Sequence, residues 1–343
     1  RAADGESIPS LAQEDVLFVP LSHALQPRTR ATALPSSTVR PHADTLACIF
    51  FTSGSTGMPK GVQIEHRGIV RLATQFECPG RTAHLTSLAF DVSLWEVTGA
   101  LLTGGSVVCI DQPTVLDPEC LRRVLQTHHI QTVMLTPALL KQCLHYMPAA
   151  MDGLERVYIT GDRLDAVDAV KLKAVSSARA FNAYGPTENS IESTVYELQA
   201  NEDYANGVPI GMPVNHSGAC VVDQQLRVVP KGILGELVLT GDGLARGYTD
   251  PTQDEGRFVR LTVGSRQVRA YRTGDAARAR PSDGMLECFG RLDRQIKIRG
   301  HRIELPEVEL TILEHKMVDD AAVVTVQRSR GGEVQPYLLI IDY

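Results

Sequence analysis

The sequence predicts an α/β fold with a β-rich, barrel-like part and a smaller α+β piece at its end. From 46 to about 200, short apolar runs of strand length alternate with helical stretches. From 201 to 292 the helical periodicity stops, and Gly, Pro and Asp turns separate short β-rich runs. From 293 to 343 a strand, a Glu-rich helix and two further apolar runs follow. The expected division is therefore a large domain over 1–292, with its α/β part at 46–200 and its β-rich part at 201–292, and a small domain over 293–343. A chain of 343 residues, 43% hydrophobic, can bury a core for each.

Residues 1–45 offer one strand candidate, Val16 to Val19, then a Pro/Ser/Thr/Arg-rich passage from Gln26 to Pro41 that reads as a connection. Leu46 to Phe51 is a continuous apolar run and reads as a buried strand. Further strands are expected at Ser106 to Ile110, Thr132 to Leu135 and Val157 to Thr160. A helix opens at Asp117, whose carboxylate suits an N-cap, with Pro118 at the first helical position and Leu121, Val124 and Leu125 on one face. In the β-rich part Ala219 to Val222, Glu236 to Thr240 and Gln267 to Tyr271 read as strands.

Net charge is −6 with acids and bases interspersed, which leaves no basic footprint for nucleic acid. The seven cysteines stand singly, so neither a zinc site nor a disulfide framework is indicated, and they read as buried thiols in a reducing compartment. No stretch has the length of a membrane span, and the N-terminus has neither a starting Met nor a signal-like apolar region. The expectation is a cytoplasmic protein without membrane or nucleic-acid partners, cut at its front.

The chemistry is concentrated in an ordered series of motifs. Thr52-Ser53-Gly54-Ser55-Thr56-Gly57-Met58-Pro59-Lys60-Gly61 follows the first strand. Glycines admit a ligand close to the backbone, hydroxyls add donors and Lys60 adds a charge, which suits a polyphosphate such as a nucleoside triphosphate. It is not a Walker A loop, because Pro59 and Gly61 flank Lys60. Phe90-Asp91-Val92-Ser93-Leu94-Trp95-Glu96 places an acid at the head of an apolar helix, either as an N-cap or as the partner of a cation. Asn182-Ala183-Tyr184-Gly185-Pro186-Thr187-Glu188 carries a tight turn that aims a ring, a hydroxyl and a carboxylate into one space. Gly241-Asp242-Gly243-Leu244-Ala245-Arg246-Gly247-Tyr248 reads as a structural turn, since it opens no crossover helix. Tyr271-Arg272-Thr273-Gly274-Asp275 ends in a Gly-Asp pair, which by itself reads as an Asx-type turn. Finally, Gly290 to Leu305 alternates Gln295, Lys297 and Arg299 against Ile296 and Ile298, as a half-exposed strand would.

The phosphate-loop stretch resembles that of the adenylate-forming enzymes, which include acyl-CoA synthetases, luciferases and the adenylation domains of nonribosomal peptide synthetases. The whole series, in its order, resembles the last of these. That resemblance implies amino-acid adenylation with ATP and Mg²⁺, and then loading of a phosphopantetheine carrier domain, with a condensation domain as a further partner. It implies nucleotide contacts from Thr52, Ser53, Gly54, Ser55, Thr56, Gly57 and Lys60, stacking of Tyr184 on adenine, and Thr187 at the α-phosphate. Glu188 would hold the metal, Asp275 and Arg291 the ribose, and Asp293 would be the hinge of the small domain. Lys60, Thr187 and Glu188 are thus the implied catalytic residues. Asp91 would hold the substrate's α-amine. The acid pocket would be lined by Val92, Trp95, Leu135, Tyr158, Thr160, Ala183, Ile191 and Glu192. Most of these are apolar, which points to a medium apolar side chain, whereas Glu192 leans toward one carrying nitrogen. An acyl- or aryl-CoA ligase, which needs no α-amine, and a nucleotide-binding remnant without turnover are the alternatives. The resemblance covers 46 to 325. The family's large domain begins further upstream and its small domain carries a C-terminal Gly-Lys motif, so the expectation is a chain incomplete at both ends, with no residue assigned that lysine's role.

Overall fold

The computed structural model describes residues 41–54, 58–76, 78, 80–202, 204–293, 295–298, 301–315, 318, 321–330 and 333–342. The strand candidate at Val16, nearly all of the Gln26 to Pro41 passage, Ser55, Thr56, Gly57 and the Arg299-Gly300 turn lie outside the described residues. Residues 42–343 form one compact unit.

It opens with an antiparallel hairpin, β1 (Leu46–Thr52) against β2 (Lys60–Glu65), in a register that sets Thr52 opposite Lys60. The phosphate-loop stretch is thus the hairpin's connection, and Lys60 is the first residue of a strand. The expected buried strand is half-buried: Ile49 is 40% and Phe51 65% exposed, because β1 pairs on one side only. Helix α1 (His66–Gln75) follows and buries Gly68, Ile69, Arg71, Leu72 and Ala73.

Next come β3 (Arg81–His84), α2 (Val92–Leu102), β4 (Ser106–Cys109), α3 (Gln112–Leu116), α4 (Pro118–Thr127), β5 (Thr132–Leu135), α5 (Pro137–Tyr146), β6 (Arg156–Ile159), α6 (Ala166–Val175), β7 (Arg179–Tyr184), β8 (Thr194–Glu197) and β9 (Met212–Pro213). Their strands form a seven-stranded sheet in the order β4-β3-β5-β6-β7-β8-β9. The first five run parallel and the last two pair antiparallel. All four residues of β5 are buried, as a parallel strand covered on both faces requires. The helices start where local chemistry says they should: Asp117 accepts from the Cys120 amide at 3.0 Å, and Thr136 from the Leu139 amide at 3.2 Å, each with a proline in the first turn. Leu121, Leu125, Val133, Leu140, Val157 and Leu172 then close the core on the sheet.

The β-rich part comprises β10 (Ser217–Val222), β11 (Gly235–Gly241), β12 (Phe258–Val263), β13 (Arg266–Ala279) and β14 (Leu286–Arg291), joined as one antiparallel sheet. Along β13 the partner changes: residues up to Tyr271 pair with β12, and residues from Asp275 pair with β14. The change falls on Arg272-Thr273-Gly274, with Gly274 in the left-handed region at φ 74°. A Cβ there would lie 2.7 Å from an Arg291 nitrogen, so glycine permits both the bend and the approach of Arg291. The remainder holds two hairpins, β15 (Gln295–Ile298) with β16 (His301–Glu304) and β17 (Ala321–Arg330) with β18 (Glu333–Asp342), and α7 (Leu305–Leu313) between them. No helix among the described residues is long and apolar enough to cross a membrane. None of the seven cysteines is joined in a disulfide; Cys78 and Cys143 are buried, but Cys109 is exposed, which corrects the expectation of buried thiols throughout.

Candidate active site

A cavity of about 430 Å³ opens where the hairpin, the C-terminal ends of the parallel strands and the bend of β13 meet. Thr52 and Ser53 line it from the hairpin, Tyr184 and Thr187 from the end of β7 and the turn that follows, and Asp275 and Arg291 from β13 and β14. Asp91, Val92, Leu135, Thr160, Ile191 and Glu192 also line it. Motifs far apart in sequence therefore share one space, in the crevice at strand ends where open α/β sheets bind ligands.

On one side the polar groups hold each other. The Tyr184 hydroxyl donates to Asp275 Oδ2, and Arg291 Nη1 donates to the Thr273 carbonyl at 2.6 Å and reaches Asp275 Oδ1 at 3.4 Å. The other guanidinium edge of Arg291 forks onto Asp293 at 2.9 and 2.6 Å, and Arg257 lies 3.8 Å from the same carboxylate. Burial, and then the Asp275 charge beside it, holds the Tyr184 phenol far above its ordinary value, so it remains a donor. Burial pushes the Asp293 carboxyl up, but its bonds to Arg291 outweigh that and leave it below its ordinary value. Asp293 also accepts the Gln295 amide at 3.1 Å and so fixes the start of β15. Gln295 reaches the cavity and donates to Glu304.

Lys60 and Glu188 are buried and stand off the cavity wall. The Lys60 ammonium lies 5.6 Å from the centroid of the Tyr248 ring, and the Tyr248 hydroxyl donates to Glu188 Oε1 at 2.8 Å. Tyr248 thus joins the phosphate-loop lysine to the carboxylate of the third motif, a role that the reading of residues 241–248 as a structural turn did not give it. Gln63 donates to the Tyr248 carbonyl, and the Thr249 amide donates to the Gly61 carbonyl at 2.7 Å, which ties this turn to β2. A lone tyrosine closing a Gly-rich turn carries no signal of partners so distant. The Glu188 carboxylate is a hard oxygen donor, of the kind that fits a Mg²⁺ ion sharing its shell with phosphate oxygens. Among the described residues no group of three or more His, Cys, Asp or Glu would hold a metal unaided.

Asp91 precedes α2 with helical backbone angles, and its side chain makes no cap bond, so the N-cap alternative does not describe it. Its position is set from behind by Glu96, which is fully buried. Glu96 accepts from the Thr86 hydroxyl at 2.8 Å and from the Leu85 and Thr86 amides at 3.3 and 3.2 Å, and lies 2.6 Å from His84 Nδ1. These bonds tie the 85–86 end of the segment leading to Asp91. The hydrogen bond from Glu96 raises the His84 pKa above its ordinary value, against burial. Trp95, Tyr158 and Ala183, expected in the acid pocket, do not line the cavity. Trp95 and Tyr158 pack behind it with Phe76 and Phe181: Phe76 and Trp95 are tilted at 4.8 Å, Trp95 and Tyr158 tilted at 4.9 Å, and Tyr158 stacks on Phe181 at 4.9 Å. Ala183 joins the same buried cluster.

The AMP-binding enzyme family matches residues 4–249, and the chain belongs to that family. Within it, the chain is 50% identical over 332 residues, 95% of its length, to the nonribosomal peptide synthetase kk1B of Curvularia clavata. It is 48% identical over 339 residues, 97% of its length, to the cyclosporin synthetase simA of Tolypocladium inflatum. The chain spans 2% of the length of each of these relatives. Its structure matches that of holo-PA1221, an NRPS protein containing adenylation and PCP domains bound to a vinylsulfonamide inhibitor, with a TM-score of 0.83 and 31% identity over 94% of this chain and 57% of that one.

Proposed function

We propose that this chain is the adenylating part of a nonribosomal peptide synthetase. It joins an amino acid to ATP, giving aminoacyl-AMP and pyrophosphate, and passes the aminoacyl group to the phosphopantetheine thiol of a carrier domain. The observation that carries the reading is the single cavity shared by the phosphate-loop residues Thr52 and Ser53, the Tyr184, Thr187, Asp275 and Arg291 group, and Asp91.

Each residue then has work to do by position. Asp275 and Arg291 take the ribose hydroxyls, the Tyr184 ring offers its face to the base, and Thr187 donates to the α-phosphate. Asp91 holds the α-amine, which sets the substrate carboxylate towards Thr187. A carboxylate oxygen attacks the α-phosphorus as the bond to the β-phosphate oxygen breaks, and pyrophosphate leaves. Bringing the two reactants together in this way supplies much of the catalysis. Mg²⁺ bound to the nucleotide, with Glu188 as its protein ligand, would neutralise phosphate charge. Lys60, over the Tyr248 ring at the start of β2, adds positive charge for the phosphates. Asp293, gripped by Arg291 and Arg257, is the proposed hinge where the small domain turns for the transfer step.

The test is pyrophosphate exchange across a panel of amino acids and fatty acids. Amino-acid-dependent exchange supports the reading. Exchange that responds to acids lacking an α-amine would instead indicate an acyl- or aryl-CoA ligase.

A further inference from the structure

Arg71 is a cation driven into the wall behind the acid-facing part of the cavity. It lies on the inward face of α1 and is 3% exposed. Its Nη1 donates to the Ser217 hydroxyl at 2.5 Å, and its Nη2 to the carbonyls of Asn189, Ser190 and Glu192 at 3.0, 3.1 and 2.7 Å. Three carbonyls converge on one nitrogen because the chain between them is bent back: Ser190 and Ile191 are both left-handed, at φ 53° and 73°. A β-branched residue there is strained, and such strain persists only where the surroundings enforce it.

Two glycines make room for the clamp. A Cβ on Gly68 would lie 2.2 Å from the Ser190 hydroxyl, and a Cβ on Gly243 would lie 2.7 Å from Arg71 Nη2. What the clamp holds is a pair of cavity residues, Ile191 and Glu192. Glu192 is 1% exposed and takes the Thr160 hydroxyl on Oε1. Burial lowers the Arg71 pKa to about 10, opposed by the attraction of Glu192 and Asp242, so the guanidinium stays charged at neutral pH.

The cavity's charges can now be set out: Asp275 faces Arg291, Asp91 is the carboxylate proposed above for the amine, and the buried Arg71 guanidinium, bonded to the Glu192 backbone carbonyl, is attracted by the Glu192 charge. A cationic side chain would bring a charge with no counterpart into a dry site, which costs several kcal/mol as an order of magnitude. We propose that Arg71 is the positioning residue of the acid pocket, fixing the Ile191–Glu192 edge and matching the Glu192 charge, and that the pocket thereby selects an amino acid with an uncharged side chain. This reverses the lean towards nitrogen drawn from Glu192 alone, and it rests on the adenylation reading above.

The test is amino-acid-dependent pyrophosphate exchange by the intact synthetase, comparing leucine and phenylalanine with ornithine, arginine, glutamate and aspartate. The wild type is expected to favour a neutral side chain. Arg71→Met strands the Glu192 charge and should raise the kcat/KM of cationic over neutral substrates by about 10-fold or more. Glu192→Gln, which changes no clamp contact and so tests the idea even if Arg71→Met fails to fold, strands the guanidinium and should shift preference about 10-fold towards acidic side chains. Arg71→Lys keeps the charge but loses the fork, so the neutral preference should survive while KM rises more than kcat falls. A cationic amino acid as the best substrate, or selectivity unmoved by Glu192→Gln, overturns the proposal while leaving adenylation intact. Exchange that responds only to acids without an α-amine overturns both.

Discussion

The two halves of the cavity are built on different plans. On the nucleotide-facing side the polar residues come in short contiguous strings, and they bond to one another: Tyr184 to Asp275, Arg291 to Asp275 and Asp293, Tyr248 to Glu188. On the acid-facing side single residues arrive from β5, the loop after β6, the turn after β7 and the head of α2, with Glu96 and Arg71 bonded behind them. Under the proposed function the first side would handle a constant ligand, and it is written as motifs. The second would discriminate among ligands, and it is written as positions on a scaffold.

That contrast can be broken most sharply at Asp91. Asp91→Ala should raise KM for amino acids about 100-fold, close to 3 kcal/mol, and leave the KM for ATP within a factor of about 2. An equal loss on both substrates would mean that the two sides are not separate. Glu188→Gln should lower kcat/KM about 10- to 100-fold for every amino acid alike. Tyr248→Phe, which removes only the hydroxyl on Glu188, should follow with about 10-fold, again without changing the order of preference. A reordering of preference by either variant would contradict the division.

Gly68→Ala probes the acid side by packing. Its Cβ would press on the Ser190 hydroxyl, which cannot swing freely because it donates to the Gly243 carbonyl at 2.6 Å. Helix propensity favours alanine by about 1 kcal/mol, so a net loss of about 1 to 2 kcal/mol in a denaturant titration would show that the clash dominates. A stabilised variant would show that the turn yields.

The smallest effect is one of pH. Because the Glu96 bond raises the His84 pKa, the charged pair adds stability that is full below the ordinary imidazole value of 6.5 and is lost as pH rises through the raised value. Thermal midpoints should therefore fall over that window, and His84→Gln should flatten the slope. Since the pair braces the loop that carries Asp91, KM for the amino acid should rise in the same window while KM for ATP does not.

How much could be read in advance follows the same line. The helix cap at Asp117 and the strand Thr132–Leu135 were legible because a few neighbouring residues decide them. Asp275 and Arg291 were legible by resemblance, as parts of strings. Arg71 was not read, since an arginine in an amphipathic helix belongs on the outside by default. The available signal was its place among Ile69, Leu72 and Ala73 on the apolar face. Trp95 and Tyr158 were read as cavity walls, yet they pack against each other behind the lining, because which face of a helix or strand meets the ligand depends on neighbours remote in sequence.

The sequence by itself determined the α/β class and the helix start at Asp117, because each rests on periodicity or on groups a few residues apart, whereas the residues of the nucleotide side came only through the resemblance. Only the tertiary structure decided that Lys60 begins a strand, that Tyr248 links it to Glu188, and that Glu192 shares the interior with a guanidinium. Those facts depend on distances across a closed chain. In a dry interior a charge is defined by its surroundings, and the guanidinium that holds the Glu192 carbonyl lies in a helix well upstream.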